Sequence, residues 1–311
     1  MNVELSNTLK NRFCKDYKLP FQVVQEPMFS YYIEELDSHF NTKQKLEYLT
    51  KAVMELGGEE QFFAESNRVK TTIISAIQAK EVYQKLQNDR LDEYNVNTGV
   101  KQQDIYNMSN VGRTFISLDL KKANFNVFKM FDPELVLGFD NYEEMIGSVT
   151  DFEYFKQSKY LRQVIFGNML PKKQQKLQKW VMEKLIKVLH EDVGIQMEDF
   201  VSASSDEVVF AVDPEGVGQF VEMVERKLYA NDETESISDW VRVEAFTLKS
   251  IGDKKFFVKE GTDGSVEFKA IQSYFFMQVF KKYTEQEIID MDKAFYHDGF
   301  LATFNKTVFE D

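Results

Sequence analysis

Apolar residues recur at helical spacing through the first ninety positions of the chain. This periodicity predicts a series of helices at residues 29–40, 43–56, 60–67 and 69–91. Gly57 and Gly58 follow the second of these, and either glycine can adopt the left-handed conformation that ends a helix. Residues 1–20 are polar and are expected to be loosely held, and residues 20–25 fit a short strand. The N-terminal region, residues 1–110, is therefore predicted to be mostly helical.

The pattern changes after a polar segment at residues 95–110, which we interpret as a linker and domain boundary. Beyond it, short apolar runs alternate with helical periodicity. The predicted strands lie at 114–120, 200–203, 207–212, 240–249, 254–259 and 265–271. Helices are predicted around 125–131, 142–146, 152–155, 160–168, 172–191, 214–228, 274–283 and 285–295. These elements divide the chain into residues 1–110, a central domain at 111–272 and a C-terminal helical extension at 273–311.

The order of elements in the central domain predicts how its strands pair. The order strand, helices, strand, strand, helix, strand is typical of a split βαβ, ferredoxin-like sheet with helices on one face. In such a sheet the first strand lies beside the hairpin formed by the second and third. The end of the first strand is then next to the hairpin turn. The predicted fold class is α+β.

Two acidic positions lie where those strands are expected to meet. Asp119 ends the first strand, and Asp206 and Glu207 lie in the hairpin turn. Carboxylates, a backbone carbonyl, water and substrate phosphates are the ligands that Mg²⁺ prefers. We therefore expect a site for Mg²⁺ or Mn²⁺ with Asp119 and Asp206 as shared ligands and the Leu120 carbonyl completing one shell. Glu207 is expected to be an accessory ligand or a salt-bridge partner.

A structural interpretation of the same residues remains open. Asp is common as a helix cap and in turns, so Asp119 can cap the following helix and Asp206 and Glu207 can form a solvated turn. Lys121 and Lys122 follow Asp119 closely enough to contact the phosphates of a nucleotide, or they are surface residues.

Composition sets limits on the class of protein. The chain has 311 residues, of which 43% are apolar, so it can bury a large core. Its formal charge of −13 argues against a general nucleic-acid coat protein. Cys14 is the single cysteine and fits a reducing compartment. No apolar run reaches ~18 residues and no secretory signal is visible, so we expect a cytoplasmic protein without a membrane span.

One segment is basic against this acidic background. Residues 156–187 contain nine basic residues and a single acid, Glu183. Lys172, Lys176 and Lys179 share a helix face by their spacing. A row of cations suits a phosphate backbone or a triphosphate, so the segment is a candidate surface for RNA or DNA. A solvated helix face is the alternative.

The central domain resembles the palm of polymerases. The run SLDLKKANF around Asp119 is similar to the first acidic motif of palm enzymes, and SSDEVVF around Asp206 is similar to the second. The order and spacing are like those of reverse transcriptases and viral RNA polymerases. DLKKANFNVF and the Ser-Asp-Glu turn also resemble, more loosely, the signatures of tRNA-His guanylyltransferase.

This resemblance implies further site residues. The segment 159–168 occupies the position of the motif that contacts nucleotide or template, which implies contacts from Lys159, Arg162 and Asn168. The residues five and six positions beyond the first acid discriminate at the ribose 2′-hydroxyl in such enzymes. Here they are Asn124, which can accept a ribose hydroxyl, and Phe125, which can block it.

Three functions remain after these considerations. The first is a nucleotidyltransferase or polymerase that uses nucleoside triphosphates and nucleic acid, with the N-terminal helices acting as fingers or as a partner-binding lobe. The second is a nucleotidyl cyclase on the same palm. The third is a catalytically inactive palm-like module whose acidic surface binds a protein partner.

Overall fold

A computed structural model describes residues 5–310 of the chain, and all structural statements below refer to these residues. The chain is α+β, with helices before the main sheet and around one of its faces. The helices are α1 (Asn7–Asp16), α2 (Met28–Glu35), α3 (Asp37–Phe40), α4 (Thr42–Glu55), α5 (Glu59–Gln78), α6 (Glu81–Asn88), α7 (Ala123–Phe131), α8 (Tyr142–Gly147), α9 (Glu153–Gln157), α10 (Lys159–Gly167), α11 (Pro171–Val188), α12 (Val217–Ala230), α13 (Glu235–Ser238) and α14 (Phe276–Tyr283).

The strands form a six-stranded antiparallel sheet and a separate hairpin. They are β1 (Thr114–Leu120), β2 (Phe200–Ala203), β3 (Glu207–Val212), β4 (Val241–Ser250), β5 (Phe257–Gly261), β6 (Val266–Lys269), β7 (Ala294–His297) and β8 (Phe300–Thr303). The order in the main sheet is β2-β3-β1-β4-β5-β6. The predicted adjacency of the first strand and the hairpin is confirmed, since β1 pairs with β3 on one side and β4 on the other.

The sheet has one face against helices and one face partly covered by a loop. Side chains alternate between faces along a strand, so Ile116 and Leu118 join the main core, whereas Phe115 joins a second cluster on the opposite face. Helix α11 contacts β3 and α12 contacts β4. On the other face, Ile105 from the segment before β1 packs over Phe115 and Phe246.

The predicted linker is tied to the edge of the sheet. The Ala203 N–H donates to the Lys101 carbonyl at 3.3 Å, and the Ser202 hydroxyl donates to the Gln103 carbonyl at 2.7 Å. The segment therefore runs along β2 although it contains no regular strand. Buried residues from both sides of the predicted boundary at residue 110 contribute to one continuous core.

Several predicted elements differ from those observed. Residues within 5–20 are not loosely held, because Leu9 and Phe13 of α1 are fully buried. The helices predicted at 60–67 and 69–91 are instead α5 and α6, and residues 20–25 form no strand. The stop at Gly57 and Gly58 is confirmed, with φ values of +93° and +123°.

The C-terminal extension is only partly helical. Helix α14 is present, and its Phe276 and Phe280 are buried. The helix predicted at 285–295 is wrong: the chain forms a short 3-10 turn and then the hairpin of β7 and β8. Asp298 and Gly299 make its turn with positive φ values, which suits the twist of a two-residue hairpin loop.

Candidate functional site

The end of β1 and the β2–β3 turn bring two carboxylates to one place. Asp119 is directly opposite Glu207 in the β1–β3 register, and the Leu120 N–H donates to the Asp206 carbonyl at 2.9 Å. Asp119 and Asp206 both line one cleft. The predicted convergence of these two acids, which are far apart along the chain, is therefore found.

Ser204 holds the turn that presents Asp206. Its hydroxyl oxygen accepts from the N–H groups of Asp206 at 3.2 Å and Glu207 at 3.0 Å. The same hydroxyl donates to Oδ1 of Asp206 at 3.0 Å. The Asp206 side chain is thus fixed against its own turn while it remains exposed to solvent.

The cleft has a volume of about 380 Å³ and is strongly cationic. Basic side chains come to it from four separate segments of the chain. They are Lys18, Lys121, Lys122, Lys159, Arg162 and Arg242. Asp119 and Asp206 are its only lining acids within the described residues, so the cleft attracts an anion such as a phosphate.

Burial and mutual repulsion disfavour the ionised form of Asp119. Desolvation raises the pKa of the Asp119 carboxyl most, and the negative charge of Asp206 raises it further, whereas Arg242 lowers it. The side chain is 32% exposed. Raised carboxyl pKa values in a cleft are typical of functional sites, although ion-pair networks also produce them.

Arg242 is a site residue that the sequence analysis missed. Its Nη2 lies 3.0 Å from Oδ2 of Asp119, and its Nε lies 3.2 Å from Oε1 of Glu244. Strand β4 places Arg242 directly opposite Asp119, so the pairing follows from the β1–β4 register. Lys18, the other missed cation, follows α1 with a left-handed φ of +49°.

Glu207 has the second of its two expected roles. Its Oε1 lies 3.7 Å from Nζ of Lys259, on the open face of the sheet. Burial raises the pKa of the Glu207 carboxyl, and Lys259 partly opposes this. Glu207 does not line the cleft of Asp119 and Asp206. Within residues 5–310 no group of three or more His, Cys, Asp or Glu side chains is arranged to hold a metal ion.

Asn124 and Phe125 lie in different environments. Asn124 lines the cleft, and its side-chain oxygen accepts from Nε2 of the buried Gln178 at 2.6 Å. Phe125 is 1% exposed and packs edge-on against Tyr142 and Phe166. The expectation that Phe125 blocks a ribose hydroxyl is wrong, because its ring belongs to the core beneath the cleft.

Lys122 and Arg162 are both anchored by neighbours from α8. The Lys122 ammonium donates to Oε1 of Glu143 at 2.6 Å. The guanidinium of Arg162 lies 5.5 Å from the centroid of the Tyr142 ring. Burial lowers the pKa of Arg162 from its usual value. Helix α10 supplies both Lys159 and Arg162 to the lining of the cleft.

Most of the basic strip at 156–187 has other partners. Lys176 donates to the Arg90 carbonyl at 2.6 Å, and Lys184 and Lys187 pair with Glu233 at 3.1 and 2.7 Å. Glu233, in the loop after α12, therefore supplies a partner for part of the strip.

Three predicted contacts lie outside the cleft. Asn168 donates to the Val164 carbonyl at 2.6 Å, and neither Lys172 nor Lys176 lines the cleft. The binding of RNA or DNA by the lysine face of α11 stays a prediction, and within that face Lys176 already donates to a backbone carbonyl. Lys172 is exposed at the start of that helix.

Comparison with known proteins adds no relative to this description. The chain gives no significant match to a protein-family model, a curated protein or a solved structure. Among residues 5–310, no helix combines the length and apolar character needed to cross a bilayer.

Proposed function

We propose that this chain is a metal-dependent nucleotidyltransferase that acts on nucleoside triphosphates and nucleic acid. The observation that supports it best is the β1–β3 register, which sets Asp119 beside Asp206 at a cleft lined by cations. Phosphoryl transfer depends mainly on positioning and charge stabilisation, and such a cleft offers both.

The sheet topology supports a palm-type scaffold. The order β2-β3-β1-β4, with α7 to α11 before the hairpin and α12 after it, is that of a ferredoxin-like split βαβ unit. In this scaffold the first acid ends the central strand and the second lies in the adjacent turn. Both acids occupy those positions here.

The donor set fits a hard divalent cation. Mg²⁺ is commonly bound by one or two carboxylates together with substrate phosphates, so two aspartates suffice without a third acid. Asp119 and Asp206 would hold it with the carbonyl of Leu120. The raised pKa of Asp119 reflects mainly the desolvation of its carboxyl, which Arg242 opposes only in part. A bound cation would supply Lewis-acid stabilisation of the transferring phosphoryl group.

The chain's own residues would bind and orient the triphosphate. Lys121 and Lys122 lie beside Asp119, and Lys159 and Arg162 reach the cleft from α10. Their charges neutralise phosphate oxygens from two sides, which restricts the direction in which the nucleotide lies. Arg242 would leave Asp119 and turn toward an incoming phosphate, because a cation at the carboxylates repels it.

A second candidate is a binding module without catalysis. The Asp119–Arg242 ion pair and the absence, within 5–310, of a three-acid cluster favour it, since an arginine already satisfies one of the two aspartates. In this case the cleft would bind a phosphate-bearing ligand through its cations alone, with no requirement for Mg²⁺.

Metal and nucleotide titrations separate the two candidates. Calorimetry measures the binding of Mg²⁺ or Mn²⁺, and incubation with each labelled nucleoside triphosphate, with and without primer–template, measures product formation. Both assays are performed on the parent chain and on Asp119→Asn and Asp206→Asn. Asp232→Asn, at an exposed loop position, is the matched control. We expect product formation that requires the metal, is lost in both site variants and persists in the control.

The contrary result is also specific. Nucleotide binding that is independent of Mg²⁺ and unchanged in Asp206→Asn, with no product under any condition, would support the binding module. A cyclic product formed without primer–template would instead assign the cleft to a cyclase.

A further inference from the structure

A second cationic cavity lies on the other side of α10 from the cleft. It has a volume of about 290 Å³, is lined by residues of α1, α5 and α10 and is open to solvent, and we call it the α1–α5 pocket. Helix α10 contributes Tyr160 and Val164 to this pocket, whereas Lys159 and Arg162 line the cleft. Residues three or four apart share a helix face, so Tyr160 and Val164 lie on one face of α10 and Lys159 and Arg162 on another. The two cavities are therefore separate sites.

The charge around the α1–α5 pocket is not balanced. Arg12, Lys15 and Lys70 line it, and no carboxylate among the described residues does. Arg12 pairs with Asp16 at 2.6 Å, but neither Lys15 nor Lys70 has an ion-pair partner within residues 5–310. Two uncompensated cations in a chain of net charge −13 form a local site for an anion.

The base of the pocket is a rigid hydrogen-bond donor. The Arg12 side chain is 6% exposed, and its guanidinium donates to Asp16, to Ser66 at 3.2 Å and to Ser158 at 3.0 Å. A guanidinium has more N–H donors than these bonds use, and the others have no protein partner in the described chain. Donors fixed and desolvated in this way bind an oxyanion with little loss of side-chain entropy.

Aromatic rings form the remaining walls. Phe63 and Tyr160 line the pocket, and the Tyr160 ring has the Arg12 guanidinium 4.5 Å and the Lys15 ammonium 5.5 Å from its centroid. The amides of Asn11 and Asn67 add polar groups at the rim. Flat apolar walls with a few convergent polar groups suit a ring-containing ligand.

We infer that the α1–α5 pocket binds a nucleoside monophosphate, with the phosphate between Arg12, Lys15 and Lys70 and the base beside Phe63 and Tyr160. The inference does not rest on the proposed transferase function, because no residue of the cleft takes part in it.

Calorimetric titration of the full chain tests the site. The probes are AMP, adenosine and inorganic phosphate, used with the parent chain and with Lys15→Gln/Lys70→Gln. The charge-retaining Lys15→Arg/Lys70→Arg is the rescue variant, and Lys227→Gln, an exposed lysine of α12, is the control. Arg162→Gln, which alters only the cleft, separates binding there from binding in the pocket.

We expect AMP to bind more tightly than either adenosine or phosphate. Its affinity should fall about tenfold or more in Lys15→Gln/Lys70→Gln and persist in the arginine rescue variant and in the Lys227 and Arg162 variants. The single variants Lys15→Gln and Lys70→Gln each test the site should the double variant not fold. Unchanged AMP affinity in the glutamine variants would overturn the site, and equal binding of phosphate and AMP would overturn its assignment to a nucleotide.

Discussion

Asp16 is the centre of a buried polar network that fixes α10, and its removal should destabilise the whole fold. Its carboxylate accepts from Arg12 Nε and the Ser158 hydroxyl, each at 2.6 Å, from the Tyr154 hydroxyl at 2.7 Å and from the Tyr160 N–H at 3.0 Å. The side chain is 3% exposed, so water cannot replace these bonds. Asp16→Ala would leave a buried guanidinium without its anion.

The expected loss of stability follows from that geometry. Breaking a buried ion pair by removing one partner costs about 3–5 kcal/mol. With an unfolding entropy of about 2.1 cal/mol/K per residue over 311 residues, the melting temperature should fall by about 5–8 °C. Because Ser158 caps α10 and donates to Asp16, the change should also disturb Lys159 and Arg162 of α10 and lower the activity proposed for the cleft.

Chemical and thermal unfolding of Asp16→Ala measures this loss. Glu81→Ala is a matched control, since Glu81 and Lys85 have the same i,i+4 spacing and a 2.9 Å contact but are 82% and 71% exposed. That variant should lose little stability, because solvent screens an exposed ion pair. A loss of less than about 1 kcal/mol in Asp16→Ala would refute the reasoning, because it would mean that solvent or a rearranged neighbour satisfies Arg12.

Three further predictions concern single residues. Because desolvation holds the folded pKa of Asp119 above its unfolded value of 3.8, ionising it opposes folding, and stability should fall as pH rises through the interval between the two pKa values. Asp119→Asn should reduce this fall, as measured by urea unfolding between about pH 4 and pH 7. Equal slopes of unfolding free energy against pH in the parent chain and the variant would contradict this prediction. If the cleft has the proposed activity, Asn124, which is oriented by Gln178, should help to select ribonucleotides. Asn124→Ala is then expected to reduce the ratio of kcat/KM for ribonucleotides to kcat/KM for deoxyribonucleotides about three- to tenfold. An unchanged ratio would exclude a contact between Asn124 and the ribose hydroxyl. Cys14 is 2% exposed and burial raises the pKa of its thiol to about 12, so a thiol reagent should modify it only as the chain unfolds, whereas fast modification of the native chain would disprove its burial.

The sheet was predictable because its signals are local. Alternation over 114–120, the apolar halves of the hairpin and the order of elements together predict that β1 lies beside β3. That adjacency was enough to bring Asp119 to Asp206. Arg242 could have been predicted in the same way, because it lies opposite Asp119 when β4 pairs with β1.

Other features depended on information that spacing does not contain. Counting positions from Asp119 identifies Asn124 and Phe125 but does not show where their side chains point. Helix α7 begins at Ala123 and turns consecutive residues by about 100°, so one faces the cleft and the other the core. Lys18 reaches the cleft through the packing of α1 on α10, a long-range contact with no sequence signal.

The C-terminal hairpin was missed despite a local signal. Residues 294–303 read AFYHDGFLAT, in which an Asp-Gly pair separates two short runs with strand propensity. The helical periodicity assigned to 285–295 competed with that signal and extended over Ala294 and Phe295, the first two residues of β7. The partners of the basic strip were not predictable for a different reason, since composition cannot identify the Arg90 carbonyl and the Glu233 carboxylate that its lysines contact.

The segment along β2 has a consequence for how the chain can be divided. Lys101 and Gln103 occupy an edge that would otherwise expose unpaired backbone groups, and Ile105 shields Phe115 from water. A fragment that began at residue 111 would lose both protections. It would expose an unpaired edge strand next to an apolar surface, and such edges promote self-association. The polar segment at residues 95–110, which resembles a linker, therefore protects the sheet from aggregation. Any shortened version of this protein should retain it.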